Sequence, residues 1–282
     1  MNILRVCVLP LLLLPPFGAA HGQPAGSSAD QNLAYPHVVV TVAVEDHTIS
    51  GLVTHTQNAK TFKYGVALFP GYPGIMKLRE ENGRPQFELR GNFLIRARRH
   101  WLDDETLVVV VDAPSDQWAT FSQAFRETPR YGADVAALLR EVSRRYEVND
   151  WTFVGTSEGS ISAFHAARMN SALARRVILT SSMFEPSSGG PGLSNVDFEA
   201  LKAPLLWVHH ESDPCQYTPY RDARTFSEKS HSPLVTVRGG GPWRGGACQA
   251  FSAHGYAGIE SETVRAMRSW IKTGKAPAEV AR

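Results

Sequence analysis

The hydrophobic pattern changes from alternating to continuous along the chain. Residues 37–44 and 48–54 alternate branched apolar with polar side chains around Glu45 and Asp46, which is typical of an antiparallel hairpin at a sheet edge. Short runs that are apolar at almost every position follow, and they predict central strands buried on both faces. These runs cover residues 64–69, 107–111, 151–154, 177–180, 205–209 and 234–237.

Helical patterns separate these apolar runs. The clearest has apolar residues on one face from residue 131 to residue 146, and others cover residues 160–167, 218–229 and 261–272. Strands that alternate with helices predict right-handed crossovers and a mainly parallel sheet with helices on both faces. The predicted fold class is therefore α/β, with an N-terminal antiparallel hairpin. Ligands bind such sheets beyond the carboxyl ends of the strands.

The first 22 residues have the pattern of a secretory signal peptide. One arginine precedes an apolar run at residues 6–14, and small residues follow, so we expect cleavage after Ala20 or Gly22. The run is too short and too interrupted by proline for a stable membrane anchor. Residues 23–35 are predicted to be a flexible segment, and the mature protein is expected to be secreted or periplasmic.

The remaining chain suits one large domain, predicted at residues 36–282. The full sequence of 282 residues is 43% hydrophobic and 20% charged, so the chain can bury a full core, and its net charge of +2 gives no reason to expect a nucleic-acid partner. The densest basic cluster is Arg96, Arg98 and Arg99. We interpret it as a solvated helix face, with a grip on an anionic substrate as the alternative.

Cleavage of the signal peptide would remove Cys7 and leave Cys215 and Cys248. An even pair of cysteines in an exported protein predicts one disulfide bond, because the compartment permits oxidation. Two buried free thiols are the alternative.

A G-x-S-x-G sequence follows the apolar run 151–154 and precedes a helical pattern. Its residues are Gly155-Thr156-Ser157-Glu158-Gly159. A strand, this motif and a helix together form the pattern of a nucleophile elbow, in which a serine projects from a turn too tight for bulky neighbours. An ordinary glycine and serine turn is the alternative.

A serine hydroxyl is a poor nucleophile at neutral pH, so Ser157 requires a histidine base and a carboxylate that orients the base. Asp213 lies beyond the carboxyl end of the predicted strand 205–209, where a turn or capping aspartate is the alternative. His254 lies beside Gly255 in a loop after the last apolar run, and we predict it as the base. The rival histidines, interpreted as surface or packing residues, are His165, His209, His210 and His231.

A metal site at residues 209–213 is the competing interpretation of the His-His-Glu-Ser-Asp sequence found there. Adjacent side chains at a strand end point to opposite faces, and the helical H-E-x-x-H spacing does not occur. We therefore expect neither a metal nor a cofactor.

The elbow, Asp213 and the late His254, in that order, resemble the α/β-hydrolase superfamily over the mature chain. The resemblance implies two amides that stabilise an oxyanion, that of Glu158 after the nucleophile and that of Tyr72 in the loop after an early strand. Pro73 has no amide proton. The chain departs from many members at Pro70, where they have histidine, which affects the shape of this loop.

These residues predict an exported serine hydrolase that cleaves a carboxylic ester through a Ser157, His254 and Asp213 triad and an acyl-enzyme. A peptidase or amidase of the same fold and a catalytically silent secreted binding protein are the alternatives. The expected partner is a small-molecule or peptide substrate; the sequence identifies neither that substrate nor the oligomeric state. Candidate aromatic residues for lining the site are Trp118, Phe184, Tyr217 and Trp243.

Overall fold

A computed structural model describes residues 35–59 and 61–282 of the chain. The predicted signal peptide, residues 1–22, lies outside the described residues, as does the predicted flexible segment 23–35 apart from Tyr35. Within the described part of the chain, no helix is long and apolar enough to cross a membrane.

A nine-stranded sheet forms the centre of the described structure, with the strand order β1-β2-β6-β3-β7-β8-β9-β10-β11. Its strands are β1 (His37–Val44), β2 (His47–Thr54), β3 (Tyr64–Phe69), β6 (Thr106–Val111), β7 (Asp150–Ser157), β8 (Ala174–Ser182), β9 (Leu205–His210), β10 (Leu234–Val237) and β11 (Glu279–Val280). A separate antiparallel pair consists of β4 (Arg79–Glu81) and β5 (Arg84–Gln86).

The pairing of the strands agrees with the fold class predicted from the sequence. Strand β1 pairs with β2, and β2 with β6, in antiparallel fashion, whereas every other neighbouring pair in the large sheet is parallel. The predicted α/β fold with an N-terminal antiparallel hairpin is therefore confirmed.

Helices cover both faces of the sheet. They are α1 (Phe93–Arg96), α2 (Gln123–Arg126), α3 (Pro129–Tyr146), α4 (Glu158–Met169), α5 (Tyr220–Lys229) and α6 (Glu260–Thr273). Helix α3 begins where the sequence supplies a start signal, because Thr128 accepts a hydrogen bond from the Tyr131 amide and Pro129 occupies the first turn. It ends at Glu147, which has a left-handed backbone conformation.

Two hydrophobic cores lie on opposite faces of the sheet because side chains alternate along each strand. In β3, Ala67 and Phe69 pack into the core that contains α3 and α4, whereas Val66 and Leu68 pack into the core that contains α1 and α6. Each central strand is thus buried on both sides, which explains its continuous apolar sequence.

The predicted solvated face at Arg96, Arg98 and Arg99 is wrong for two of the three arginines. The Arg96 side chain is only 10% exposed and pairs with Glu260 of α6, and Arg98 is 2% exposed. Only Arg99 is exposed. Helix α6, distant in sequence, covers this segment, so local charge patterning alone could not reveal the burial.

Candidate active site

Ser157 lies at a tight turn between β7 and α4. Its backbone angles are φ 53° and ψ −127°, a sparsely populated conformation that the surrounding structure must enforce. A Cβ added to Gly155 would lie 2.2 Å from the Gly159 carbonyl oxygen, and one added to Gly159 would lie 2.0 Å from the Phe69 carbonyl oxygen. Both glycines of the motif are therefore required by close backbone contact, as in a nucleophile elbow.

The loop after β3 passes directly against this turn. A Cβ added to Gly71 would lie 2.9 Å from Cβ of Ser157 and 3.0 Å from the Thr156 carbonyl oxygen. Tyr72 follows, with its side chain 76% exposed, and the peptide bond between Tyr72 and Pro73 is cis. Tyr72 and Glu158, the residues predicted to supply the oxyanion donors, thus lie on the two segments that flank Ser157.

Asp112 anchors the continuation of this loop. Its carboxylate accepts hydrogen bonds from the amides of Met76 (2.6 Å), Leu78 (2.7 Å) and Ala113 (2.8 Å). Burial raises the pKa of Asp112 to about 6, although the three amides favour the ionised form. This polar contact connects β6 to the segment that follows Tyr72.

His254 and Asp213 are joined by a hydrogen bond of 3.0 Å between Nδ1 and Oδ2. The Asp213 side chain is fully buried and the His254 side chain is 6% exposed. An ionised carboxylate only accepts hydrogen bonds, so Nδ1 carries the proton and Nε2 is left as an acceptor. The imidazole is thus held in the tautomer required of a general base.

Two further residues fix the carboxylate, and the sequence did not indicate this role for either of them. The Thr218 hydroxyl donates to Oδ2 of Asp213 at 2.9 Å and lies 3.1 Å from Nδ1 of His254. The amide of Cys215 donates to Oδ1 of Asp213 at 2.9 Å. Both follow Asp213 by a few residues, but neither residue type alone signals such a role.

The loop that carries His254 is tied to the ends of two strands. The Ser181 hydroxyl of β8 donates to the His254 carbonyl oxygen at 2.8 Å. The Tyr256 hydroxyl donates to the Val208 carbonyl oxygen of β9 at 2.7 Å and accepts from the Ser181 amide at 3.0 Å. Arg96 donates to the Gly255 carbonyl oxygen, which gives this buried arginine a structural role beside the base.

Cys215 and Cys248 form a disulfide bond, as their even number predicted. Cys215 is 2% exposed, and its amide binds Asp213; Cys248 lies in the wall of the pocket that contains Ser157 and His254. The bond therefore connects the Asp213 loop to the wall beside the base.

Ser157 and His254 line one pocket of about 360 Å³. Its large aliphatic and phenyl side chains are Leu89, Phe93 and Phe251. The remaining wall consists of Gly71, Tyr72, Gly91, Asn92, Thr156, Cys248, Gln249, Ala250 and Gly255. A larger groove of about 620 Å³ lies at the other end of β7, near Asp150 and Arg176, and the described residues that line it include no serine, threonine, cysteine or histidine.

The four aromatic residues that the sequence offered for this pocket lie elsewhere. Phe184 is 2% exposed and stacks on Phe226, and the indole of Trp118 donates to the Ala113 carbonyl oxygen. Tyr217 packs partly buried against the core of α3 and α4, and Trp243 is 48% exposed. The aromatic residues that line the pocket are instead Tyr72, Phe93 and Phe251.

The rival histidines have other surroundings. His165 is buried in α4, and burial lowers its pKa to about 4. His209 is fully buried with its pKa lowered to about 3 by burial, and its Nε2 accepts from the Ser182 amide at 2.9 Å. His210 Nε2 lies 2.9 Å from the Gly239 carbonyl oxygen, and His231 is exposed. Across residues 35–59 and 61–282, no three His, Cys, Asp or Glu side chains are grouped so that they could hold a metal ion.

The fold is similar to those of several solved hydrolases. Est1E from Butyrivibrio proteoclasticus matches with a TM-score of 0.57 at 13% identity, over 83% of this chain and 97% of that one. Dienelactone hydrolase from Anabaena variabilis matches with a TM-score of 0.54 at 12% identity, over 85% and 98%. The acylaminoacyl peptidase of Pyrococcus horikoshii matches with a TM-score of 0.54 at 13% identity, over 86% of this chain but 42% of its own.

No protein-family model and no curated sequence matches the chain, so these likenesses rest on structure. At 12–13% identity, structural matches of this kind establish the fold alone. The strand order, the parallel pairing and the turn at Ser157 agree with that fold. The chain therefore has the fold of the α/β-hydrolase superfamily.

Proposed function

We propose that this protein is a serine hydrolase that cleaves carboxylic esters through an acyl-enzyme. One observation carries the proposal: Ser157, at a strained turn enforced by backbone contacts, shares a pocket with His254, whose Nδ1 is bonded to the buried Asp213. A nucleophile, a base in the correct tautomer and a carboxylate that orients it are the groups that acyl transfer requires.

In the proposed mechanism, Oγ of Ser157 attacks the ester carbonyl carbon while its proton passes to Nε2 of His254. Asp213 stabilises the imidazolium, and the amides of Tyr72 and Glu158 stabilise the oxyanion of the tetrahedral intermediate. The alcohol leaves with the proton from His254. Water, deprotonated by the same histidine, then attacks the acyl-enzyme, and the acid is released as His254 returns the proton to Oγ of Ser157.

The walls of the pocket favour substrates of modest size. A volume of about 360 Å³ lies at the low end of the range for small-molecule sites, and Leu89, Phe93 and Phe251 supply apolar surface. We expect short acyl chains to be preferred over long ones. The signal-peptide pattern and the disulfide support export to the periplasm or the cell exterior.

A peptidase or amidase activity is the second candidate, because a solved peptidase is among the structures that share the fold. The two activities are distinguished by whether the enzyme expels an alcohol or an amine leaving group faster. An ester preference predicts rapid turnover of p-nitrophenyl acetate and butyrate and slow turnover of the matching p-nitroanilides, and the reverse order would favour the peptidase.

The test is active-site labelling of the purified mature protein with a fluorophosphonate, located by mass spectrometry. We expect a single adduct on Ser157 in wild type and none in Ser157→Ala, since the probe reacts with an activated serine. Ser269→Ala, which removes an exposed hydroxyl bonded to the Lys275 carbonyl oxygen, is the matched control and should label like wild type. Absence of labelling in folded wild-type protein would favour the silent binding protein instead.

A further inference from the structure

Arg126, at the end of α2, has a completely buried side chain with four hydrogen-bond acceptors around it. Its guanidinium donates to the Ser162 hydroxyl (2.7 Å), the Pro73 carbonyl oxygen (3.0 Å), the Phe121 carbonyl oxygen (3.3 Å) and Oε2 of Glu158 (3.3 Å). Burying a cation costs free energy unless it is paired, so the contacts of Arg126 must offset the cost of removing its guanidinium from water.

Two of these acceptors belong to the segments that flank Ser157. Pro73 directly follows Tyr72, and Glu158 directly follows Ser157. One guanidinium therefore connects the loop after β3 to the first residue of α4. We propose that Arg126 is a positioning residue that holds the amides of Tyr72 and Glu158 in the geometry needed to stabilise an oxyanion; this inference rests on the proposed hydrolase function.

The shape of the surroundings selects a guanidinium. Its Cζ atom lies 3.8 Å from the centroid of the Phe121 ring, and a Cβ added to Gly74 would lie 3.0 Å from one of its nitrogens. Gly74 has φ +72°, so glycine there satisfies both the backbone conformation and the close contact. Nη2 reaches both segments while Nη1 binds the Ser162 hydroxyl, so a lysine, which has a single nitrogen on a shorter side chain, could supply the charge but could not keep all three contacts.

Arg126 also balances a charge beside the reacting atoms. The Glu158 side chain is only 12% exposed, and an unpaired carboxylate there would oppose a developing oxyanion. Pairing with Arg126 neutralises it. The same helix offers a comparison: Gln123 is also buried, but its amide binds Ser187 and Gly192, away from both proposed oxyanion segments.

The experiment compares Arg126→Lys, Glu158→Ala and Glu158→Gln with Gln123→Met as the structural control. Turnover of p-nitrophenyl acetate gives kcat and KM, and the inhibition constant of a phenylboronic acid reports on an anionic tetrahedral adduct at Ser157. For Arg126→Lys and Glu158→Ala we expect kcat and boronate affinity to fall about 10- to 100-fold with little change in KM. Glu158→Gln keeps an acceptor for Arg126, so its kcat and boronate affinity should lie well above those of Glu158→Ala.

Gln123→Met should lower the melting temperature yet leave kcat and boronate affinity within about threefold of wild type, because it loosens only the neighbouring loop. If Arg126→Lys does not fold, the two Glu158 variants decide the question. Wild-type kcat and boronate affinity in Glu158→Ala would overturn the inference. A wild-type protein that neither hydrolyses the ester nor reacts with the fluorophosphonate would overturn the proposed function itself.

Discussion

The two sides of the candidate site are held in place by different physical means. Ser157 is fixed by close backbone contacts within and beside a five-residue motif, and the neighbouring Ser160 hydroxyl donates to the Ser157 carbonyl oxygen at 2.6 Å. Asp213 and His254 are 41 residues apart, and hydrogen bonds from Thr218, Cys215 and Ser181 fix them. The nucleophile side is thus encoded locally and sterically, whereas the acid and base depend on long-range polar contacts.

Gly159→Ala should disrupt the close backbone contacts at the Ser157 turn, with the largest effect of the substitutions considered. The new Cβ would lie 2.0 Å from the Phe69 carbonyl oxygen and 2.7 Å from that of Pro70. Backbone atoms cannot move away as a flexible side chain can, so we expect a loss of about 3 kcal/mol or more in unfolding free energy and no detectable esterase activity. Denaturant melts and p-nitrophenyl acetate turnover measure the two effects.

Gly246→Ala is the control for this substitution. Its added Cβ would meet only Gln249 atoms at 3.8 Å or more, which is an ordinary contact. We expect stability and turnover close to those of wild type. An active, stable Gly159→Ala protein would show that the backbone at the turn can relax and that the steric account is wrong.

Asp213→Asn breaks the polar side with little change in volume. An amide nitrogen would replace one carboxylate oxygen. Either Oδ2, which accepts from Nδ1 of His254 and the Thr218 hydroxyl, or Oδ1, which accepts from the Cys215 amide, would then no longer be an acceptor. In serine proteases the equivalent change lowers kcat about 10⁴-fold by favouring the wrong histidine tautomer, and we expect a loss of about 10³- to 10⁴-fold here. Steady-state kinetics and circular dichroism of the variant check this; a folded protein with kcat near wild type would remove Asp213 from the mechanism.

Removal of the disulfide bond tests whether the positions of Asp213 and His254 depend on a covalent link. We expect a double Cys215→Ala and Cys248→Ala variant to lose about 3–4 kcal/mol of stability through the entropy of the opened loop, whose ends are 33 residues apart. Because the Cys215 amide binds Asp213 and Cys248 lines the pocket, kcat should also fall about tenfold. Wild-type protein that has been reduced and alkylated should show the same losses as the double variant. A fall in melting temperature with unchanged kcat would make the bond a surface staple.

The contrast also explains what could be predicted from the sequence. Apolar runs and their periodicity gave the strands of the large sheet, except for the two-residue β11, and the glycine motif gave the turn at Ser157, because these depend on nearest neighbours. The partners that fix the site, such as Thr218, Tyr256 and Arg126, could not be predicted in the same way. Each of these residues has its role only because segments distant in sequence pack together. The same is true of Arg96, which the sequence predicted to be solvated and which α6 buries.

Asp112 gives the prediction with the smallest expected effect. It makes a long-range polar contact with the loop beside Ser157, in the part of the site that is otherwise fixed by close backbone contacts. Burial raises its pKa to about 6 from an ordinary 3.8, so between these pH values the folded state retains a proton that the unfolded state has lost. Its protonation therefore stabilises the fold below pH 4, and about 3 kcal/mol of this stabilisation is lost as the pH rises through 6. Asp112→Asn removes the titration.

The measurement is the unfolding free energy of wild type and Asp112→Asn at several pH values from about 3.5 to 7, a range that spans both pKa values. Other titrating groups contribute equally to both proteins, so the difference isolates Asp112. We expect the advantage of wild type to shrink by about 3 kcal/mol across this range, following a one-proton curve. A difference that does not vary with pH would mean that Asp112 has the same pKa in the folded and unfolded states, because the hydrogen bonds from the amides of Met76, Leu78 and Ala113 offset the effect of burial.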